Sequence, residues 1–145
     1  MPGMETEAMA DTRPVGKVRG SKVLIVDDEI YVREILREML ERMGFEVVEA
    51  SNGDQGLAAF GSDHGDIVAC VIDLTMSGMS GLELLGHVRE LDSTVPVILV
   101  SGYSRPEVRQ QEAKSRNISF LQKPFTLVQF KNILERQLAL QLPQS

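Results

Sequence analysis

Five short apolar runs alternate along this chain with longer segments whose apolar residues recur at helical spacing. Val23-Leu24-Ile25-Val26 is wholly apolar and stops abruptly at Asp27-Asp28-Glu29. Behind it, Val32, Ile35, Leu36, Met39, Leu40 and Met43 mark one face of a helix, and Gly44 stands where a left-handed stop is expected. Phe45 to Ala50 reads as a second strand, and Asn52-Gly53 opens a short helix through Leu57, Ala58 and Phe60. Ile67 to Ile72 is β-rich and apolar without alternation, the pattern of a central strand covered on both faces, and it delivers Asp73 to its far end. Ser80 and Glu83 have capping-box spacing for a third helix with Leu82, Leu85, Val88 and Leu91 inward. Val95 to Val100 forms a fourth strand, ending in Ser101-Gly102-Tyr103-Ser104. The helix after it, about 106 to 116, has only Val108 and Ala113 to anchor it and is expected to be loosely held. Ile118 to Leu121 is the fifth strand. Thr126 caps a final helix, with Gln129 three residues on and Leu127, Phe130, Leu134 and Leu138 as its buried positions.

Strictly alternating strands and helices call for an α/β fold in which right-handed crossovers cover both faces of a parallel sheet. The expected architecture is a doubly wound, five-stranded, flavodoxin-like three-layer sandwich with strand order 2-1-3-4-5. In such sheets ligands bind outside the carboxyl ends of the strands. Reading those ends together gives Asp27-Asp28, Asp73, Ser101 and Lys123. The one strand without such a group, ending at Ala50-Ser51, is an outer strand in this order.

Three converging carboxylates repel, with about 4 kcal/mol between unit charges 4 Å apart at an effective dielectric of 20, so a cation is required among them. Magnesium suits this donor set, since it is a hard ion held by one or two carboxylates with waters and substrate phosphate. Asp73 is then placed to attack phosphorus and form an aspartyl phosphate. Lys123 can neutralise charge on the phosphoryl oxygens, Ser101 can donate a hydrogen bond to one of them, and Gly102 leaves room for the group beside the backbone.

Composition narrows the setting. The chain has 145 residues, 43% hydrophobic and 25% charged, consistent with one globular domain. Its net charge of -6 argues against nonspecific binding to nucleic acid or an anionic membrane. Acids and bases balance over residues 1–21, which lack hydrophobic periodicity and read as a flexible arm, so the negative charge belongs to the domain expected over 22–145. Cys70 is the single cysteine, which excludes an intramolecular disulfide and a cysteine-built zinc site. With no signal-peptide core and no stretch of membrane-spanning length, a cytoplasmic location is the expectation.

These pieces together resemble the receiver domain of two-component response regulators, from Lys22 to about Leu142. The matching segments are Val23 to Glu29, Ile72-Asp73-Leu74-Thr75-Met76 with Gly81, Val100-Ser101-Gly102-Tyr103, and Phe120 to Phe125. The resemblance implies a phosphoacceptor signalling module rather than an enzyme, with Asp73 as phosphoacceptor and at most slow self-phosphorylation and autodephosphorylation. It implies Mg2+ held by Asp27, Asp28, Asp73 and the Thr75 backbone carbonyl, Ser101 and Phe120 as switch positions, and Lys123 as the phosphoryl-binding ammonium. The Lys123-Pro124 bond of the family is commonly cis. The implied partners are a sensor histidine kinase or histidine phosphotransfer protein as donor, and a downstream protein on the face made by the fourth helix, fifth strand and last helix; a homodimer is also compatible. No effector domain is read after the final helix, which suits either a stand-alone regulator or the receiver of a hybrid kinase. Two departures stand out. Ser77 replaces a frequent proline, and Phe120 replaces a frequent tyrosine, leaving no switch hydroxyl there.

Two other classes compete. A magnesium-dependent phosphohydrolase of the haloacid dehalogenase type usually carries an acid two residues after its nucleophile, where this chain has Thr75. A phosphorylation-independent receiver-like scaffold would not need the full set of acids, hydroxyl and lysine.

Overall fold

The structure is a computed structural model and describes residues 21–103 and 106–140. The elements run β1 (Lys22–Val26), α1 (Ile30–Arg42), β2 (Glu46–Ala50), α2 (Gly53–Asp63), β3 (Ile67–Asp73), α3 (Gly81–Leu91), β4 (Val97–Ser101), α4 (Pro106–Lys114), β5 (Ile118–Gln122) and α5 (Leu127–Leu140). The strands form one sheet in the order β2-β1-β3-β4-β5, with every neighbouring pair parallel. This is the doubly wound three-layer sandwich expected from the alternation of runs. The arm expected before Ser21 lies outside the described residues, as do Ser104 and the end of the chain beyond 140.

The lack of alternation in β1, β3 and β4 has a direct structural cause. Val23 and Ile25 face one layer, with Leu36 and Leu40 of α1 and Phe130 and Leu134 of α5. Leu24 and Val26 face the other, with Phe60 of α2, Leu84 and Val88 of α3 and Val108 of α4. Successive side chains on a strand point to opposite faces, and here both faces are covered, so every position between the strand ends is apolar. Cys70 is buried in the second layer as a small hydrophobe.

The helix ends follow their local chemistry. Ser80 and Glu83 form a reciprocal capping box, and Thr126 and Gln129 exchange the same pair of bonds at 2.9 and 3.0 Å. Gly44 follows α1 with φ +99°, where a side chain would be strained. The Lys123-Pro124 peptide is cis.

Several inward stripes differ from the sequence reading. On α3 the core positions are Leu84, Leu85 and Val88, while Leu82 is only partly buried and Leu91 is 48% exposed. Steps of three fall short of the 3.6-residue turn, so over nine residues the stripe drifts to the opposite side of the helix. Ile35 of α1 is 52% exposed and Leu127 of α5 is 41% exposed, although both keep helical register with buried neighbours. Gln137, one place before the expected Leu138, is buried and donates to the Arg116 carbonyl at 3.0 Å and to Ser119 Oγ at 2.6 Å. Ala58 is exposed. On α4, Val108 is buried as expected, and the side chain of Ala113 lies outside the described residues.

Candidate functional site

The parallel sheet brings the carboxyl ends of β1, β3, β4 and β5 to one edge, and the residues there can be taken strand by strand. Asp27 directly follows β1 and is buried. Its amide donates to the Ala50 carbonyl of β2 at 3.1 Å, and its carboxylate Oδ1 accepts from the Glu29 amide at 2.8 Å. Asp28 is exposed at the mouth. Asp73 ends β3, buried among the strands on either side, and its Oδ1 accepts from the Thr75 amide at 3.0 Å. One oxygen from each of Asp27, Asp28 and Asp73 falls within 4.8 Å of the others. The sequence expectation that these three acids converge is therefore met.

Lys123, just past β5, reaches back over this edge. Its ammonium lies 3.2 Å from Asp27 Oδ2, 3.1 Å from Glu29 Oε1 and 3.7 Å from Asp73 Oδ2. Burial works against the ammonium, but the charges of Asp27 and Asp73 and hydrogen bonds to Glu29 and Asp27 outweigh it and raise its pKa. Asp73 is also raised, although a neighbouring ammonium alone would lower it. Desolvation by burial, helped by Asp27 and Asp28, pushes its pKa up to about 6 against the Thr75 amide and Lys123. The site thus holds more negative charge than its own lysine neutralises. An all-oxygen donor set with surplus negative charge fits a hard divalent cation such as magnesium.

Ser101 ends β4 and is buried. Its hydroxyl oxygen accepts from the Tyr103 amide at 3.1 Å, and its carbonyl accepts from the Lys123 amide at 2.8 Å, so the ends of β4 and β5 are joined through their main chains. Beside it, a Cβ on Gly102 would meet nothing within 4 Å; the space is open as expected, although packing does not require glycine there. Thr75 is exposed two residues beyond Asp73. Phe120 does not join the acidic group. It pairs with Leu99 within the sheet, faces α4 and carries the Arg109 guanidinium 5.0 Å from its ring centre.

Two features escaped the hydrophobic pattern. Glu29, read as part of an acidic stop, is a direct partner of Lys123. Arg33, on the polar side of α1, donates to the Asp27 carbonyl and pairs with Glu49 of β2. Neither contact has a local sequence signal, since each depends on how α1 and β5 are set on the sheet.

A five-stranded 2-1-3-4-5 sheet with three acids and a lysine at its carboxyl edge is the arrangement of a phosphoacceptor signalling module. The family model for the response regulator receiver domain matches residues 23–135, and the chain belongs to that family. Sporulation initiation phosphotransferase F of Bacillus subtilis (strain 168) is 28% identical over 119 residues, covering 82% of this chain and 94% of that protein. Regulatory protein AtoC of Escherichia coli (strain K12) is 34% identical over 121 residues, covering 83% of this chain but 26% of AtoC, so the chain spans about a quarter of that relative. Among solved structures, the response regulator protein TrrA of Thermotoga maritima, determined in complex with Mg(2+)-BeF, is 31% identical with a TM-score of 0.69, covering 81% of this chain and 98% of that one. Among the described residues, no helix is long and apolar enough to cross a membrane.

Proposed function

We propose that Asp73 is the phosphoacceptor of this receiver domain and that the domain occupies residues 22–145, from the first residue of β1. The observation that carries the assignment is the convergence of Asp27, Asp28 and Asp73 within 4.8 Å beneath the Lys123 ammonium. Asp27, Asp28, Asp73 and the Thr75 carbonyl would hold Mg2+, which when bound supplies positive charge for the phosphoryl oxygens. Asp73 Oδ2, the carboxylate oxygen not engaged by the Thr75 amide, attacks phosphorus on a phosphohistidine. An O–P bond forms while the N–P bond to the donor imidazole breaks, and the imidazole leaves with a proton from solvent. Lys123 stays in reach to neutralise the transferred group, and the Ser101 hydroxyl turns from the Tyr103 amide to donate to it.

The donor is a sensor histidine kinase or a histidine phosphotransfer protein. It seats on an apolar cleft of about 660 Å³ lined by Val32, Ile35, Leu36, Pro124, Phe125 and Leu127, with Lys123 at its side. Ile30 and Tyr31 of α1 and Val128 of α5, the two helices that line the cleft, are also exposed, and the shared Lys123 makes the cleft continuous with the reacting edge. Phosphorylation then draws on Ser101 and the Phe120 position to alter the α4-β5-α5 face, where a downstream protein binds; a second copy of the chain on that face would show as dimerisation on phosphorylation. Autodephosphorylation is slow, because Thr75 supplies no general base next to Asp73. The compartment is the cytoplasm, in keeping with a lone buried cysteine.

Incubation with Mg2+ and a small acyl phosphate, followed by intact mass measurement, is expected to show one added phosphoryl group, absent in Asp73→Asn. Equal labelling of that variant sinks the assignment. Rapid multiple turnover of phosphate esters would instead favour a phosphohydrolase.

A further inference from the structure

Arg33 lies in the first turns of α1 and sends its guanidinium back to the end of β1. Nε donates to Glu49 Oε1 at 2.8 Å, while Nη1 donates to the Asp27 main-chain carbonyl at 2.7 Å. The other Glu49 oxygen is 2.7 Å from Arg37 Nε, one turn further along α1. On its other side, the Asp27 amide is bound to Ala50 of β2. Both main-chain groups of Asp27 are therefore tied to β2, one directly and one through Arg33 and Glu49. The Asp27 carbonyl belongs to the peptide plane that joins Asp27 to Asp28. Asp28 is exposed, so the direction of its carboxylate depends on how that plane is held.

Resting on the reading of Asp27, Asp28 and Asp73 as the magnesium-holding set, we infer that Arg33 is a positioning residue for it. The arginine locks the Asp27-Asp28 peptide so that both carboxylates face Asp73 before any cation arrives. Arginine suits the task because its planar fork serves two acceptors at once, the Glu49 carboxylate and the Asp27 carbonyl, where lysine offers a single point of charge. Charge alone would act with the opposite sign. A cation this close to the acids repels a second cation, so its removal should tighten magnesium binding if electrostatics were its only influence. If positioning dominates, removal weakens binding.

The experiment is calorimetric titration of MgCl2 into the metal-free full chain for the wild type, Arg33→Ala, Arg33→Lys and Arg37→Ala, with melting curves for each. Loss of an outer-shell partner costs about tenfold or more in metal affinity, and a weakening of that order is expected in both Arg33 variants. Arg37→Ala removes a charge from the same Glu49 without touching Asp27, so its affinity should be unchanged or slightly tighter. An independent readout needs no metal. The Glu29 amide, which donates to Asp27 Oδ1, should exchange its hydrogen faster in both Arg33 variants by NMR. A folded Arg33→Ala with lower melting temperature but unchanged or tighter magnesium affinity would overturn the inference and leave Arg33 as a brace between α1 and β2. Should Arg33→Ala fail to fold, Arg33→Lys, which keeps the charge beside Glu49, decides by the same criteria. Failure of the wild type to bind Mg2+ would strike the underlying reading instead, and the metal-free exchange measurement would then decide the positioning role alone.

Discussion

Lys123 and Asp27, separated by 96 positions in sequence, are joined by an ammonium–carboxylate contact of 3.2 Å across the open edge of the sheet. That contact closes the acidic site between the first and last strands. Lys123→Ala leaves the buried Asp27 carboxylate without its cation, and unpairing a group of this kind costs about 1–3 kcal/mol. The metal-free variant should melt below the wild type. Mg2+ should recover more stability in the variant than in the wild type, because it replaces the missing positive charge. Thermal melts with chelator and with excess Mg2+ check both points, and equal Mg2+-induced shifts would contradict the pairing.

The pH dependence of stability carries a signature of Asp73. Its folded pKa is about 6 against an ordinary 3.8, raised by burial, so the folded state holds the proton more tightly than the unfolded chain. The protonated group therefore favours folding below about pH 4, and this advantage is lost as pH rises through about 6, to a limit of about 3 kcal/mol for one group. Asp73→Asn removes the titration. In chelator, the stability difference between Asp73→Asn and wild type should be smallest near pH 4 and grow in favour of the variant up to pH 7.

Gly81 transmits strain to the site if altered. A Cβ there would lie 2.5 Å from the Asp73 carbonyl oxygen and 2.7 Å from the Leu74 Cα, and backbone cannot turn aside as a side chain can. Gly81→Ala should cost about 1–3 kcal/mol, as overpacking typically does, and slow phosphorylation from a small donor by displacing Asp73. Chemical denaturation and time-resolved mass measurement give the two numbers.

The cleft beside Lys123 separates protein donors from small ones. Ile35 is half exposed and outside the core, so Ile35→Asp should leave melting and labelling by an acyl phosphate near wild type. Phosphotransfer from a phosphohistidine protein should fall at least about tenfold, the effect of losing a well-packed apolar anchor at an interface. An equal loss with both donors would place the damage in the site itself.

Helix α4 rests on little. Val108 is its one buried residue among those with described burial, and the Arg109 guanidinium over Phe120 adds a second hold. Hydrogen exchange should be fastest in α4 among the five helices. Arg109→Ala should raise it by a further factor of about 2–5, equivalent to the 0.5–1 kcal/mol of an exposed cation–π contact.

How far the sequence reached follows from what each signal measures. The apolar runs of β1, β3 and β4, the cap residues Ser80, Glu83, Thr126 and Gln129, and the polar groups at strand ends are local, because they express burial on a strand face or a helix terminus a few residues away. They determined the order of elements, and with the handedness of crossovers the sheet order and the edge where Asp27, Asp28, Asp73, Ser101 and Lys123 meet. Which side of a helix faces the sheet was not local. Ile35 and Leu127 have core-like spacing and still face outward, and Gln137 is buried beside the partly buried Leu138, because the angle at which each helix lies on the twisted sheet sets the width and drift of its buried stripe. The same placement decided the contacts of Glu29 and Arg33. Their partners, Lys123, the Asp27 carbonyl and Glu49, come within reach only when separate elements share one edge, and a charged side chain on a helix carries no mark of what the fold will bring opposite it.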